Sequence, residues 1–140
     1  MSTVAAPGLG KPSGLFVLAD GTLLASAGHS IRVLAPSGIL SVLAGNNTSS
    51  GKQDGPGADA RFHNPDGITV DPAGNVVVVD RGNHALRFVS KAGALSTLAG
   101  GGAGFADGQG AAARFNFLIS VVVTVNGDYV MTDCDNHALQ

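Results

Sequence analysis

One cysteine, one tyrosine and no tryptophan stand among 140 residues, and only 13% of the residues are charged. With Cys134 alone no disulfide can form within the chain, so a disulfide-stapled scaffold is excluded and a reducing compartment is permitted. The net charge is −2 and no block of Lys or Arg occurs. The basic stripe of a nucleic-acid surface is therefore missing, and no nucleic-acid partner is expected. No apolar run reaches the ~18 residues that a membrane helix requires, so no membrane contact is expected. The opening MSTVAAPGLGKPSG lacks the charged segment and apolar run of a signal peptide, which makes the expected location cytoplasmic. What the chain does contain is 21 Gly and 44% hydrophobic residues, mostly Val, Leu and Ala. That composition suits one domain at most, with short buried strands joined by tight turns, and does not suit disorder.

The chain repeats itself. DRGNHALR (Asp80–Arg87) returns as DCDNHALQ (Asp133–Gln140), a step of 133 − 80 = 53 residues. Asp54-Gly55, Arg61-Phe62 and Gly74 recur at Asp107-Gly108, Arg114-Phe115 and Gly127 by the same step. A more worn first copy aligns Gly21 with Gly74, His29 with His84, and LSVLAG (Leu40–Gly45) with LSTLAG (Leu95–Gly100). STVAA (Ser2–Ala6) resembles the STLAG segment (Ser96–Gly100), so the chain opens on what reads as the last strand of a unit.

Each unit reads as four short strands, in the second copy about Gly67–Asp71, Asn75–Asp80, Ala85–Ser90 and Leu95–Ala99. Pro72-Ala73-Gly74 and Lys91-Ala92-Gly93 are turn signals. Val76–Val79 and SVVVTV (Ser120–Val125) do not alternate, and continuous apolar runs indicate strands covered on both faces. Gly100–Phe115 shows no strand pattern, although the Ala-rich Gln109–Arg114 suits one helical turn. Four strands per unit, in units that cannot bury both faces alone, indicate an all-β partial β-propeller of four-stranded antiparallel blades. Residues 1–10 then hold the outer strand of a missing or shared blade, 11–63 blade 1, 64–116 blade 2, and 117–140 a truncated blade 3.

The segment Ala60–Gly100 resembles an NHL repeat: Pro-x-Gly, Gly-Asn before an apolar strand, then Asp-x-x-Asn-His-x-hydrophobic-Arg. These features fall on Pro65, Gly67, Gly74, Asn75, Asp80, Asn83, His84, Leu86 and Arg87. The third copy keeps Gly127, Asp133, Asn136 and His137, but has Leu118-Ile119-Ser120 in place of Pro65-Asp66-Gly67 and Gln140 in place of Arg87. The first keeps only His29 and Arg32 of the Asp-x-x-Asn-His-x-x-Arg string. The resemblance implies a six-bladed type of propeller, incomplete in this chain, that serves as a binding surface. It also implies association with ubiquitin-ligase, thioredoxin-like or kinase domains. LAGGGAGFADGQGAAARF (Leu98–Phe115) is similar to arrays joined to a BTB/POZ domain in substrate adaptors.

Asp, Asn and His also bind metals and move protons. Once-per-blade recurrence favours a structural signature, in which Asp80, Asn83, Asp133 and Asn136 satisfy turn backbone. The alternative is a metal-dependent lyase- or hydrolase-like enzyme, since some propeller lyases similar to NHL proteins hold zinc with one His from each of several blades. His29, His84 and His137 are then the axial ligands, which must converge at about 2 Å. His63, unmatched in the third copy, reads as a loop histidine, and the acids flanking Cys134 make it a poor nucleophile. The expectation is a non-enzymatic scaffold without cofactor that binds a protein partner and forms part of a larger protein such as a substrate adaptor. A homodimer completing six blades is the other way to account for half an array.

Overall fold

The computed structural model describes residues 6–139. Three antiparallel sheets follow one another along the chain. The first contains β1 (Pro12–Val17), β2 (Leu23–Ala27), β3 (Ser30–Leu34) and β4 (Leu40–Gly45). The second contains β5 (Pro65–Val70), β6 (Val76–Asp80), β7 (Ala85–Val89) and β8 (Leu95–Gly100). The third, among the described residues, contains β9 (Leu118–Val123), β10 (Tyr129–Asp133) and β11 (Ala138–Leu139). Each sheet is a simple up-and-down meander, and the whole is an incomplete propeller. No helix among the described residues is long and apolar enough to cross a membrane.

Strand limits differ from the sequence-based ones where local hydrogen bonding intervenes. β5 begins at Pro65 rather than Gly67, because Pro65 pairs with Asp80 across a bulge that precedes Ile68. The same irregularity opens β1 and β9. Asn75 stays in the turn, its amide donating to Asp71 Oδ1 at 2.8 Å. Ser90 belongs to the next turn, and Gly100 extends β8 by pairing with Ala85. The region expected to lack strands holds isolated bridges, Ala103 to Phe115 and Ala106 to Arg114, and its helical turn is a 3-10 turn at Gly110–Ala112. Of the expected N-terminal outer strand, residues 1–5 lie outside the described residues. Ala6 is not in a strand and accepts a turn hydrogen bond from Leu9.

The core lies between the sheets. Val76 and Val78 pack toward the first sheet with Leu24, Ile31, Phe62 and Ile68. Val77 and Val79 pack toward the third with Leu86, Phe115, Leu118 and Val121. The unbroken valine run therefore serves two cores at once. β1, β5 and β9 stand side by side as an inner row. Glycine permits this approach: a Cβ on Gly14 would lie 2.2 Å from the Asp66 carbonyl oxygen, and one on Gly67 2.5 Å from that of Ile119. A Cβ on Gly100 would lie 2.4 Å from the His84 carbonyl oxygen, at a φ of +79°.

Candidate functional site

β6 ends on Asp80, which is fully buried with both oxygens occupied. Oδ1 accepts the His63 amide at 2.8 Å. Oδ2 accepts the Asn83 side-chain amide at 2.7 Å and the Arg87 guanidinium. Asn83 Nδ2 also donates to the Gly51 carbonyl at 2.8 Å. Arg87, likewise fully buried, donates to Asp54 Oδ1 at 2.7 Å and lies over the Phe62 ring at 5.6 Å. Burial pushes the Asp80 carboxyl above its ordinary pKa, opposed by the bonds from Asn83 and His63 and by the charge of Arg87. The third sheet repeats the clamp: Asp133 Oδ1 accepts the Asn116 amide at 2.9 Å, and Asn136 donates to Asp133 Oδ2 at 2.7 Å and to the Gly104 carbonyl at 2.9 Å. In the first sheet Ala27 stands opposite Pro12 as Asp80 stands opposite Pro65, and Ser30 holds Arg32 instead, at 3.0 Å. The repeated acids and amides thus fasten each inter-sheet loop to the turn that follows it.

Pro65 is buried where β5 opens, and Gly67 is the close-approach residue described above. Gly74 and Gly127 close equivalent turns at φ of +86° and +88°. Burial acts to raise the Asp71 carboxyl, but the backbone and side-chain bonds from Asn75, with the Ala73 and Gly74 amides, together outweigh it and hold that carboxyl below its ordinary pKa. His84 and His137 sit on the β6–β7 and β10–β11 turns with left-handed φ of +49° and +53°. His29 occupies the β2–β3 turn, its Nδ1 accepting the Asn64 amide at 3.1 Å and its ring 5.9 Å from that of His63. All three histidines lie on turns one strand out from the inner row. Among the described residues no three His, Cys, Asp or Glu side chains are grouped to share a metal ion. His84 Nδ1 is buried without a hydrogen-bond partner, and Cys134 is exposed.

A different group gathers where β1, β5 and β9 begin. Lys11, Asn64 and Phe117 precede those strands at the 53-residue step, since 11 + 53 = 64 and 64 + 53 = 117. All three are exposed. Arg81, on the β6–β7 turn, forms an ion pair with Asp66 at 3.4 Å and lies over the Phe117 ring at 5.1 Å. Lys11, Ser13, Gly28, Asn64, Pro65 and Arg81 line a cleft of about 320 Å³ between the first two sheets. Searching for what repeats passes over these residues, because their position repeats and their chemistry does not. The equivalence of 64 and 117 within the gap-free alignment is the signal that could have singled them out.

An NHL repeat is present at residues 62–87, which covers β5, β6 and the clamp residues Asp80, Asn83 and Arg87. No curated protein matches the chain. Among solved structures, a structural-genomics protein of unknown function from Bacteroides thetaiotaomicron VPI-5482 aligns at 29% identity and a TM-score of 0.82, over 91% of this chain and 34% of that one. An auxiliary nutrient binding protein from Bacteroides ovatus ATCC 8483 aligns at 24% identity and a TM-score of 0.78, over 89% and 35%. A virginiamycin B lyase from Staphylococcus aureus aligns at 11% identity and a TM-score of 0.61, over 96% and 42%. The chain thus spans about a third of the length of the first two proteins, and the likeness to the second and third is one of fold.

Proposed function

We propose that this chain is a non-enzymatic, protein-binding propeller module, part of a larger cytoplasmic protein such as a substrate adaptor joined to a BTB/POZ or other ubiquitin-ligase domain. The observation that supports a binding role is a division of labour between repeated and non-repeated residues. Asp80 and Arg87 are fully buried and Asn83 is half-buried, Asp80 and Asn83 are bonded to loop backbone, and Asp80 holds both of the others, so their hydrogen-bonding groups are used within the fold. The exposed positions 11, 64 and 117 differ from blade to blade, and specificity for a partner resides in such exposed, variable side chains on a rigid frame. The adaptor assignment draws its support from the likeness of Leu98–Phe115 to the inter-blade run of BTB/POZ-linked arrays.

The test pairs binding with metal analysis. A partner captured by the chain and then purified is expected to form a stoichiometric complex in calorimetry. Asn64→Asp with Arg81→Glu should weaken that complex, and Ile39→Ser, in the β3–β4 turn at the opposite end, should leave it unchanged. Stoichiometric zinc that is lost when His84 and His137 both become Ala would overturn the reading in favour of an enzyme.

A further inference from the structure

Phe117 combines three properties that rarely coincide. It is aromatic, 40% exposed, and held at a φ of +63°. Asn64 takes the same conformation one repeat earlier, at +50°, with a side chain that tolerates it. A bulky residue there is strained, and strain of this kind persists mainly at sites of function. The Phe117 ring carries the Arg81 guanidinium on its face, and Asp66 holds that guanidinium from a second side. Arg81 is therefore fixed in position while its side chain stays 35% exposed.

The same Arg81 forms one wall of the 320 Å³ cleft, with Lys11 among the other lining residues. Among the described residues no carboxylate lines the cleft; Arg81 pairs with Asp66, and Lys11 forms no ion pair there. His29 and His63 adjoin the lining residues Gly28 and Asn64, their rings 5.9 Å apart and tilted by 56°, and the His29 ring nitrogen already accepts the Asn64 amide. Arg presents a planar fork of donors that matches a carboxylate, and the adjoining ring offers apolar area.

We propose that this cleft takes a side-chain carboxylate of a partner polypeptide between Lys11 and Arg81, while Phe117 receives an apolar or aromatic residue next to it in the partner. The inference rests on the protein-binding reading and narrows it to an acidic segment carrying an apolar anchor. The left-handed conformation belongs to the repeated backbone, since Asn64 shares it, and Phe117 is then a specificity residue in which the strained choice of a phenylalanine is explained by its contact.

The first probe is a fluorescein-labelled peptide Gly-Glu-Phe-Glu-Gly, measured by anisotropy against the same peptide with Gln for Glu. Expected are binding of the acidic peptide that weakens as salt rises, and a roughly tenfold loss in Lys11→Glu and in Arg81→Gln, the effect of about 1.4 kcal/mol. Phe117→Asn, which installs the residue found at the equivalent position 64, should also weaken binding while Tm stays level or rises. A fall in Tm of that variant with binding intact would make Phe117 a packing residue and overturn its assignment. Equal binding of the Gln peptide, full displacement by inorganic phosphate at equal concentration, or no binding of either peptide would overturn the carboxylate site. If Lys11→Glu leaves a captured protein partner bound as before, the acidic cleft is refuted and the protein-binding module stands.

Discussion

Asp80 shows how one side chain can be fixed by the segments before and after it. It binds the amide of His63, the side chain of Asn83 and the guanidinium of Arg87, and Arg87 reaches on to Asp54 in the preceding loop. Removing the buried partner of an ion pair is costly, and it would leave Arg87 with only the half-exposed Asp54 as a counter-charge. Asp80→Asn is therefore expected to cost about 3 kcal/mol in urea unfolding, and a loss within a few tenths of a kcal/mol would show the pair to be dispensable. The Asp-x-x-Asn-His string is legible in the sequence because it recurs. Asp54 is not legible as its partner, since nothing local links a loop residue to an arginine 33 positions later. The regular recurrence of His29, His84 and His137 suggests convergence, but the turns that carry them lie one strand away from the inner row.

Strand identity follows from pattern, and strand ends follow from neighbours. The run Val76–Val79 declares a strand covered on both sides, and its members indeed divide between two cores. The bulge at the start of β5 leaves no trace in hydropathy, because it arises from the way Pro65 and Gly67 meet β6 and β9. Gly67 is the element's contact with the next sheet. In Gly67→Ala the new methyl would lie 2.5 Å from the Ile119 oxygen and 2.7 Å from the Ser120 Cα, so one backbone must move. A loss of about 2 kcal/mol is expected, the usual range for forcing extra volume into a packed contact. Thermal unfolding of the alanine variant at the parent Tm would show the inner row to be looser than this spacing implies.

Over the whole molecule, equivalent positions have different surroundings. Leu86 is 2% exposed and its counterpart Leu139 is 75% exposed, while Leu15 is 63% exposed where its counterpart Ile68 is 7%. A second copy docked head to tail would cover both surfaces. Yet Gly14 and Gly67, where the inner strands nearly touch, are followed at the same step by Ser120. A fourth inner strand at the established spacing would meet the Ser120 Cβ. The chain is therefore expected to run as a monomer in light scattering, and Ser120→Gly to shift some of it to higher mass. A wild-type dimer unaffected by that substitution would mean that the seam is wider than the two junctions within the chain.

The clamps also set how the connecting loops open. The loop after β4 is fastened through Gly51 to Asn83 and through Asp54 to Arg87. The loop after β8 is fastened through Gly104 to Asn136, Gln140 stands in the sequence where Arg87 stands one repeat earlier, and among the described residues no arginine pairs with Asp107 as Arg87 does with Asp54. Two loops of kindred sequence should therefore breathe at different rates. Amides of residues 101–113 should exchange with deuterium faster than those of 48–60, and the first loop should keep its protection until the second sheet itself opens. The repeat in the sequence then gives no repeat in lifetime: the fold becomes a graded clock, slowest where both clasps are shut.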